Sequence, residues 1–172
     1  MIFAILKSMK ESFESVSSGR EALLNLEAVG LYLFHGSDNP DINCFEPRQA
    51  YNIKEGIRGP DGNPAVFASD KADYAILKAL ISEKNCPKGH RSSVGTTDTE
   101  EGSITLRLKA SNEAVEQLND ESFGYVYVFE KNSFVKISER RVEYKSEKPV
   151  RPIDIIRVTK NDLPPYLEVS EY

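Results

Sequence analysis

Residues 31–37 read LYLFHGS and join a run of apolar side chains to a His-Gly-Ser triplet. The apolar part predicts a buried strand, so that His35, Gly36 and Ser37 stand at the end of that strand. Gly36 has no Cβ, which lets a flat ligand approach the main chain. The imidazole and the hydroxyl add a donor and an acceptor, an arrangement that suits a nucleotide with an amide-bearing ring and ribose hydroxyls. The alternative is a simple turn that ends the strand.

The size and composition of the chain predict one α+β domain with a short N-terminal addition. Its 172 residues are divided here into a helical appendage at 1–29 and a domain at 30–172. The net charge of −5 argues against a broad nucleic-acid surface, although a local basic groove remains open. Two histidines and two cysteines without metal-ligand spacing predict no metal site and a reduced, cytoplasmic setting.

The first six residues, MIFAIL, are apolar but too short for a signal peptide or a membrane span. We expect them to pack on the domain or on a partner, with a cleaved signal as the alternative. Residues 22–26 follow a helical pattern, and Gly30 separates that helix from the strand at 31–35.

The middle of the chain predicts a strand followed by an amphipathic helix. Residues 65–68 are a short apolar run, and Ser69 and Asp70 are expected to cap the helix that follows. Tyr74 lies off the apolar stripe, near the end of the preceding strand. The stripe recurs with helical spacing at Ala72, Ala75, Ile76, Ala79 and Leu80.

The remaining segments predict strands and two long irregular stretches. Residues 37–63 and 85–102 lack a period and are rich in turn formers; the first contains Arg48 and Arg58, whose guanidinium groups suit phosphate. His90, in the second, is expected at the surface. A short helix is predicted at 111–118 and strands at 103–108, 125–129, 134–137, 140–144 and 153–158. The fold expected is α+β, with a mostly antiparallel, split β-sheet core and flanking helices.

Three segments in this order resemble the ADP-ribosyltransferase superfamily. They read YLFHGS at 32–37, AVFASDKADYA at 65–75 and RVEYKS at 141–146. The likeness is to the branch that includes the poly(ADP-ribose) polymerases and diphtheria toxin, which is marked by a His-Tyr-Glu triad. The three triad positions correspond to His35, Tyr74 and Glu143, and the resemblance spans residues 30–158.

The resemblance implies a role for each matching residue. His35 would bond the adenosine ribose, and the main chain of Gly36 would hold the nicotinamide carboxamide with Ser37 in support. Tyr74 would stack on the nicotinamide ring. Glu143 would bond the nicotinamide-side ribose and stabilise its positive charge as the N-glycosidic bond breaks. Arg48 and Ser69 complete the predicted NAD contacts.

The expected function is therefore a mono-ADP-ribosyltransferase that uses NAD as co-substrate. The sequence does not decide whether the acceptor is a protein, a nucleic acid or water. It also leaves three biological roles open, those of a toxin, a phage-encoded modifier and a regulatory enzyme. Arg141 stands where arginine-directed toxins have Gln or Glu, which disfavours arginine as the acceptor. Val66 stands where polymerase-type members often have a second tyrosine. Two alternatives remain, a non-catalytic binding module and an RNA 2′-phosphotransferase-like enzyme, which the net charge disfavours.

Overall fold

A computed structural model describes residues 18–99, 102–139 and 141–171. The apolar start at 1–6 lies outside these ranges, so the prediction that it packs on the domain or a partner stays a prediction. The helices within the ranges are too short to cross a lipid bilayer. The elements in chain order are α1 (Gly19–Val29), β1 (Tyr32–Ser37), β2 (Tyr51–Lys54), β3 (Ile57–Pro60), β4 (Val66–Ser69), α2 (Ala72–Leu80), β5 (Ser92–Asp98), β6 (Ile104–Ser111), α3 (Asn112–Gln117), β7 (Phe123–Glu130), β8 (Val135–Lys136), β9 (Glu143–Ser146), β10 (Asp154–Thr159) and β11 (Glu168–Ser170).

The strands form one large sheet and two small ones. The large sheet has the order β10-β7-β1-β4-β9-β8, and each neighbouring pair in it is antiparallel. A second sheet has the order β11-β6-β5, in which β11 runs parallel to β6, and β2 and β3 form a separate hairpin. The predicted α+β class with a mostly antiparallel sheet is confirmed.

Helix α2 packs on one face of the large sheet through its small and aliphatic side chains. The predicted stripe is buried throughout, and it contacts Phe34 of β1 together with Val126 and Val128 of β7. The opposite face carries a mostly aromatic cluster that includes Leu33, Phe45 and Tyr127. A third cluster lies between α2, α3 and the small sheet.

The bare backbone of Gly36 is explained first by this packing. A Cβ at Gly36 would collide with the carbonyl oxygen of Ala75 and lie 2.7 Å from the backbone nitrogen of Ala79. The helix therefore occupies the space above Gly36, where we expected room for a flat ligand. A ligand therefore cannot lie flat over Gly36 on the α2 side of the sheet.

Helix α1 is part of the core and also caps α2. Its Leu23 is fully buried in the cluster beneath α2. Glu27 accepts hydrogen bonds from the backbone N–H of Ala72, at 2.7 Å, and from the side chain of Lys71. The expected cap from Ser69 and Asp70 is wrong, because Lys71 occupies the N-cap position and Glu27 supplies the carboxylate. The boundary proposed after residue 29 stays a prediction.

Some strands differ from the prediction. The stretches at 37–63 and 85–102, expected to be irregular, contain the β2–β3 hairpin and β5. Strand β2 does alternate, with Tyr51 and Ile53 each followed by a polar residue, so a signal over four positions was present and missed. Strands β3 and β5 are mostly exposed and lack such alternation. The predicted strand at 140–144 begins only at Glu143, and the one at 134–137 shrinks to two residues. Strand β11 had no sequence signal.

We predict that Gly36→Ala lowers the free energy of unfolding by about 1–3 kcal/mol or more, because the added methyl group meets the α2 backbone, which cannot turn away. Chemical denaturation measures the change. Gly59→Ala is the matched control, since a Cβ there has nothing within 4 Å. Equal losses from both substitutions would contradict the packing explanation.

Candidate functional site

The candidate site lies where β1 and β4 separate. These strands share a single registered pair, Phe34 with Ser69. Beyond that pair the His35 side chain reaches across to β4, and its Nδ1 is 2.7 Å from the carbonyl oxygen of Phe67. The imidazole therefore hydrogen-bonds to a backbone carbonyl that would have accepted a β1–β4 ladder bond if the pairing of the two strands had continued.

The backbone of Gly36 faces the opening that His35 creates. The N–H of Lys131 donates to the carbonyl oxygen of Leu31, so the backbone hydrogen-bonding groups of Leu31 point toward β7. Hydrogen-bonding direction alternates along an antiparallel strand, and Gly36, five residues on, is directed to the β4 side. Because the registered β1–β4 pairing ends at Phe34, the N–H and C=O of Gly36 point into the gap.

His35 is a neutral imidazole with a defined tautomer. Burial lowers its pKa below the ordinary value of 6.5, with the bond to Phe67 opposing this effect and the charge of Arg48 adding to it. A carbonyl oxygen can only accept, so Nδ1 carries the proton and donates it. The other ring nitrogen, Nε2, is left as an acceptor for a hydroxyl group.

Tyr74 and Glu143 meet at the wall of a cleft of about 330 Å³ in this gap. The Tyr74 hydroxyl donates to Glu143 Oε1 at 3.0 Å, and Arg141 Nη1 lies 3.5 Å from Oε2. Burial and the neighbouring Glu143 raise the pKa of Tyr74, which keeps its hydroxyl protonated as a donor. The residues that line the cleft are Phe34, His35, Gly36, Phe67, Ala68, Tyr74, Ala75, Lys78 and Glu143.

Strand alternation assigns His35 and Glu143 to opposite faces of the sheet. Glu143 is in register with Ser69, which pairs with Phe34 on the α2 side. His35 instead meets the ring of Phe45, 4.9 Å away, on the other side. Both residues nevertheless line the same cleft, because the gap between β1 and β4 interrupts the sheet there.

Lys78 belongs to the cleft, although sequence reasoning did not single it out. It lies one helical turn after Tyr74, and its ammonium group donates to Ser92 Oγ at 3.2 Å. Burial lowers its pKa, and the nearby Glu143 opposes that effect. The i, i+4 spacing from Tyr74 was the available signal, since residues so spaced share a helix face.

A second cavity of about 340 Å³ adjoins the cleft, and the two share His35 and Phe67 in their walls. Ser37 and Arg48 also line it; Ser37 accepts a hydrogen bond from the Asn39 N–H at 3.1 Å, and Arg48 is exposed. Val66 contributes an apolar surface.

Two residues from the sequence analysis lie elsewhere. Ser69 is fully buried and lines neither cavity, and its hydroxyl accepts from the Lys71 N–H at 3.0 Å. Arg58 stacks on the Tyr51 ring in the β2–β3 hairpin, 4.4 Å from its centroid. His90 is exposed, as predicted.

The cleft combines hydrogen-bond donors and acceptors with one carboxylate. The Gly36 backbone offers one donor and one acceptor in the same direction, and His35 adds an acceptor. Glu143 is a carboxylate with a side-chain exposure of 29%, so a positive charge that develops beside it is only partly screened by water. A carboxylate in this position can stabilise a cationic group, and Arg141 and Lys78 already lie near it.

Comparison of the chain with protein-family models, with curated proteins and with solved structures found no match. The interpretation of the cleft therefore depends on its own geometry and chemistry. The two strongest observations are the open backbone edge at Gly36 and the Tyr74–Glu143 contact.

The state of His35 predicts a pH dependence of stability. Since its folded pKa is lowered, the unfolded chain binds more protons below about pH 6.5, and stability falls as the pH falls through that range. His35→Asn keeps a donor near the Nδ1 position but does not titrate, so it should show a weaker loss between pH 7 and pH 5. Denaturation curves at several pH values measure the difference.

His90 and the carboxylates are present in both the wild type and His35→Asn. Their contributions to the pH dependence of stability therefore cancel in the comparison. An identical pH dependence in the two proteins would contradict a half-buried, neutral His35.

Proposed function

We propose that this chain is an NAD-dependent mono-ADP-ribosyltransferase, built on the split antiparallel sheet that its sequence resembles. The observation that carries the proposal is the convergence of His35, Gly36, Tyr74 and Glu143 on one cleft at the β1–β4 gap. These residues lie up to 108 positions apart in the chain. None of the pairwise contacts alone would favour this reaction over a structural role.

The nicotinamide ring is proposed to enter the cleft edge-on. A carboxamide presents N–H donors and a carbonyl acceptor, the complement of the N–H and C=O that Gly36 directs into the gap. Because α2 covers the space above Gly36, the ring must lie beside the strand, where Tyr74 can contact its face. The packing of α2 thus restricts the orientation of the ligand.

The rest of NAD is proposed to pass His35 into the second cavity. His35 Nε2, free to accept, suits a ribose hydroxyl at the junction of the two cavities. Beyond it, the exposed guanidinium of Arg48 suits the diphosphate, because it offers several donors to phosphate oxygens. The apolar surfaces of Phe45 and Val66 suit the adenine ring.

Glu143 is proposed to stabilise the reacting sugar. The bond between ribose C1 and the nicotinamide nitrogen breaks, and its electron pair leaves on nicotinamide, which departs neutral. Positive charge on the sugar is greatest at that point, and the Glu143 carboxylate stabilises it. An acceptor hydroxyl or water then forms the new bond to C1 and releases its proton to solvent. The Tyr74 hydroxyl holds the carboxylate in position beforehand.

A cytoplasmic setting is part of the proposal. Cys44 and Cys86 are free thiols, as a reducing compartment requires.

Glu143→Gln should reduce the release of nicotinamide from NAD by about 10²–10³-fold, the effect of removing one preorganised charged group. The glutamine keeps a carbonyl oxygen for the Tyr74 hydroxyl, so the fold and most of the NAD affinity should survive. The loss should therefore appear in kcat with little change in KM. Chromatographic measurement of free nicotinamide, with and without cell extract as a source of acceptors, provides the readout.

Glu147→Gln is the matched control, because Glu147 is an exposed carboxylate just past the end of the same strand, paired with Lys145. It should release nicotinamide at the wild-type rate. If the wild type itself releases none under any of these conditions, the enzyme proposal fails and a non-catalytic binding module remains.

NAD should raise the melting temperature by about 5–10 °C at a hundred times its Kd, because it binds only the folded chain. ADP-ribose should do less, since it lacks the ring that Gly36 and Tyr74 are proposed to hold. Tyr74→Ala should reduce the NAD shift, while Tyr74→Phe, which keeps the ring, should retain most of it. Differential scanning fluorimetry makes the comparison, and equal shifts from NAD and ADP-ribose would count against a nicotinamide pocket.

A further inference from the structure

A third cavity, of about 740 Å³, is lined by basic groups and by no carboxylate among the residues that the structure describes around it. The chain as a whole has a net charge of −5, so this local composition is the reverse of the average surface. Apart from the basic groups, its wall offers the apolar surfaces of Ile81 and Pro87. The lining residues are Lys78, Ile81, Pro87, Lys88, Gly89, His90, Arg91 and Ser92.

The loop that carries these basic residues is fixed by its backbone. The Lys88 N–H donates to Gln117 Oε1 at 2.9 Å, and Gln117 Nε2 donates to the carbonyl oxygen of Gly89 at 3.1 Å. The carbonyl oxygen of Arg91 accepts from the Ser111 N–H at 3.0 Å. The backbone is therefore held on α3 and β6, while the side chains of Lys88 and Arg91 remain exposed.

Lys78 connects this cavity to the proposed NAD cleft, since it lines both. The second cavity joins the cleft through different residues, His35 and Phe67. If NAD extends from the cleft past His35, the basic cavity lies outside its path. The basic cavity therefore lies beside the cleft on its Lys78 side, where a second substrate could bind without occupying the proposed path of NAD.

Two carboxylates lie near the edges of the basic cavity. Glu143 interacts electrostatically with Lys78 from the cleft. Glu113 lies against the loop at Gly89, where a Cβ added to the glycine would lie 2.5 Å from Glu113 Oε2. Neither lines the cavity. The positive charges of Lys88 and Arg91 thus face the space without a described acidic partner.

We propose that this cavity binds the phosphate group of the acceptor substrate. Only the assignment of that phosphate to an acceptor rests on the proposed function; the binding of phosphate does not. Lys and Arg are the usual phosphate ligands, and Arg91 can offer paired N–H groups to two phosphate oxygens. Ile81 and Pro87 suit the carbon surface of an attached sugar. The phosphate can come from a free nucleotide or from the end of a single nucleic-acid strand.

The experiment measures binding without NAD. Wild type, the double variant Lys88→Ala/Arg91→Ala and the control Lys148→Ala/Arg151→Ala are titrated with inorganic phosphate, a nucleoside 5′-monophosphate and a fluorescent 5′-phosphorylated oligonucleotide. The control removes two exposed charges with the same spacing. The cavity variant should bind the phosphorylated probes about 10–100-fold more weakly, and the control should match the wild type.

The probes distinguish the two sources of phosphate. An oligonucleotide that binds much more tightly than the mononucleotide identifies a strand, and similar affinities identify a free nucleotide. Failure of all three probes to bind the wild type, or equal losses in both double variants, would overturn the proposal.

Nicotinamide release separates this proposal from the proposed function. Hydrolysis of NAD by water should proceed at the wild-type rate in Lys88→Ala/Arg91→Ala, because the cleft contains neither residue. A weakened KM for NAD in that variant would assign the cavity to the phosphates of NAD and overturn the acceptor site. Phosphate binding in a wild type that releases no nicotinamide would instead leave the site standing and refute the enzyme.

Discussion

The hydrogen bond from His35 Nδ1 to the carbonyl oxygen of Phe67 is the interaction on which the site depends. It satisfies a backbone acceptor that would otherwise require a ladder bond between β1 and β4. The two strands can therefore part after one pair without leaving that carbonyl unsatisfied. The backbone of Gly36 then faces the gap, and the sheet gains an internal edge where a small polar ligand can bind.

A second constraint holds Tyr74 against that gap. Asp73, the residue before it, is buried and accepts two hydrogen bonds from Arg20, at 2.7 and 2.9 Å, and one from the Tyr166 hydroxyl at 2.6 Å. Together with the Glu27 cap, these contacts fasten the first turn of α2 to α1 and to the C-terminal segment. Removing one partner of such a buried charge pair is costly, so these contacts stabilise the first turn in its position. The position of the tyrosine ring thus depends on residues at both ends of the described chain.

The sequence was sufficient for the elements with strong periodicity. It predicted α2 from its apolar stripe, β1 from LYLF and the alternation that separates Glu143 from Tyr144. It failed for β3 and β5, because their side chains do not alternate between apolar and polar, and it missed the short alternation of Tyr51 and Ile53 in β2. The role of Gly36 in helix packing was also out of reach, since it depends on α2, far away in sequence.

The candidate site shows the same division. The resemblance in residue types and order proposed His35, Tyr74 and Glu143 as candidates, but alternation alone would have separated them onto two faces. Only the interruption of the sheet brings them to one cleft, and an interruption leaves no periodic signal. Charge behaves similarly: a net value of −5 describes the whole chain, whereas recognition depends on the few groups within a Debye length of about 10 Å. The basic groups beside the cleft, Lys78, Lys88 and Arg91, are therefore a better guide to its partners than the overall acidity of the chain.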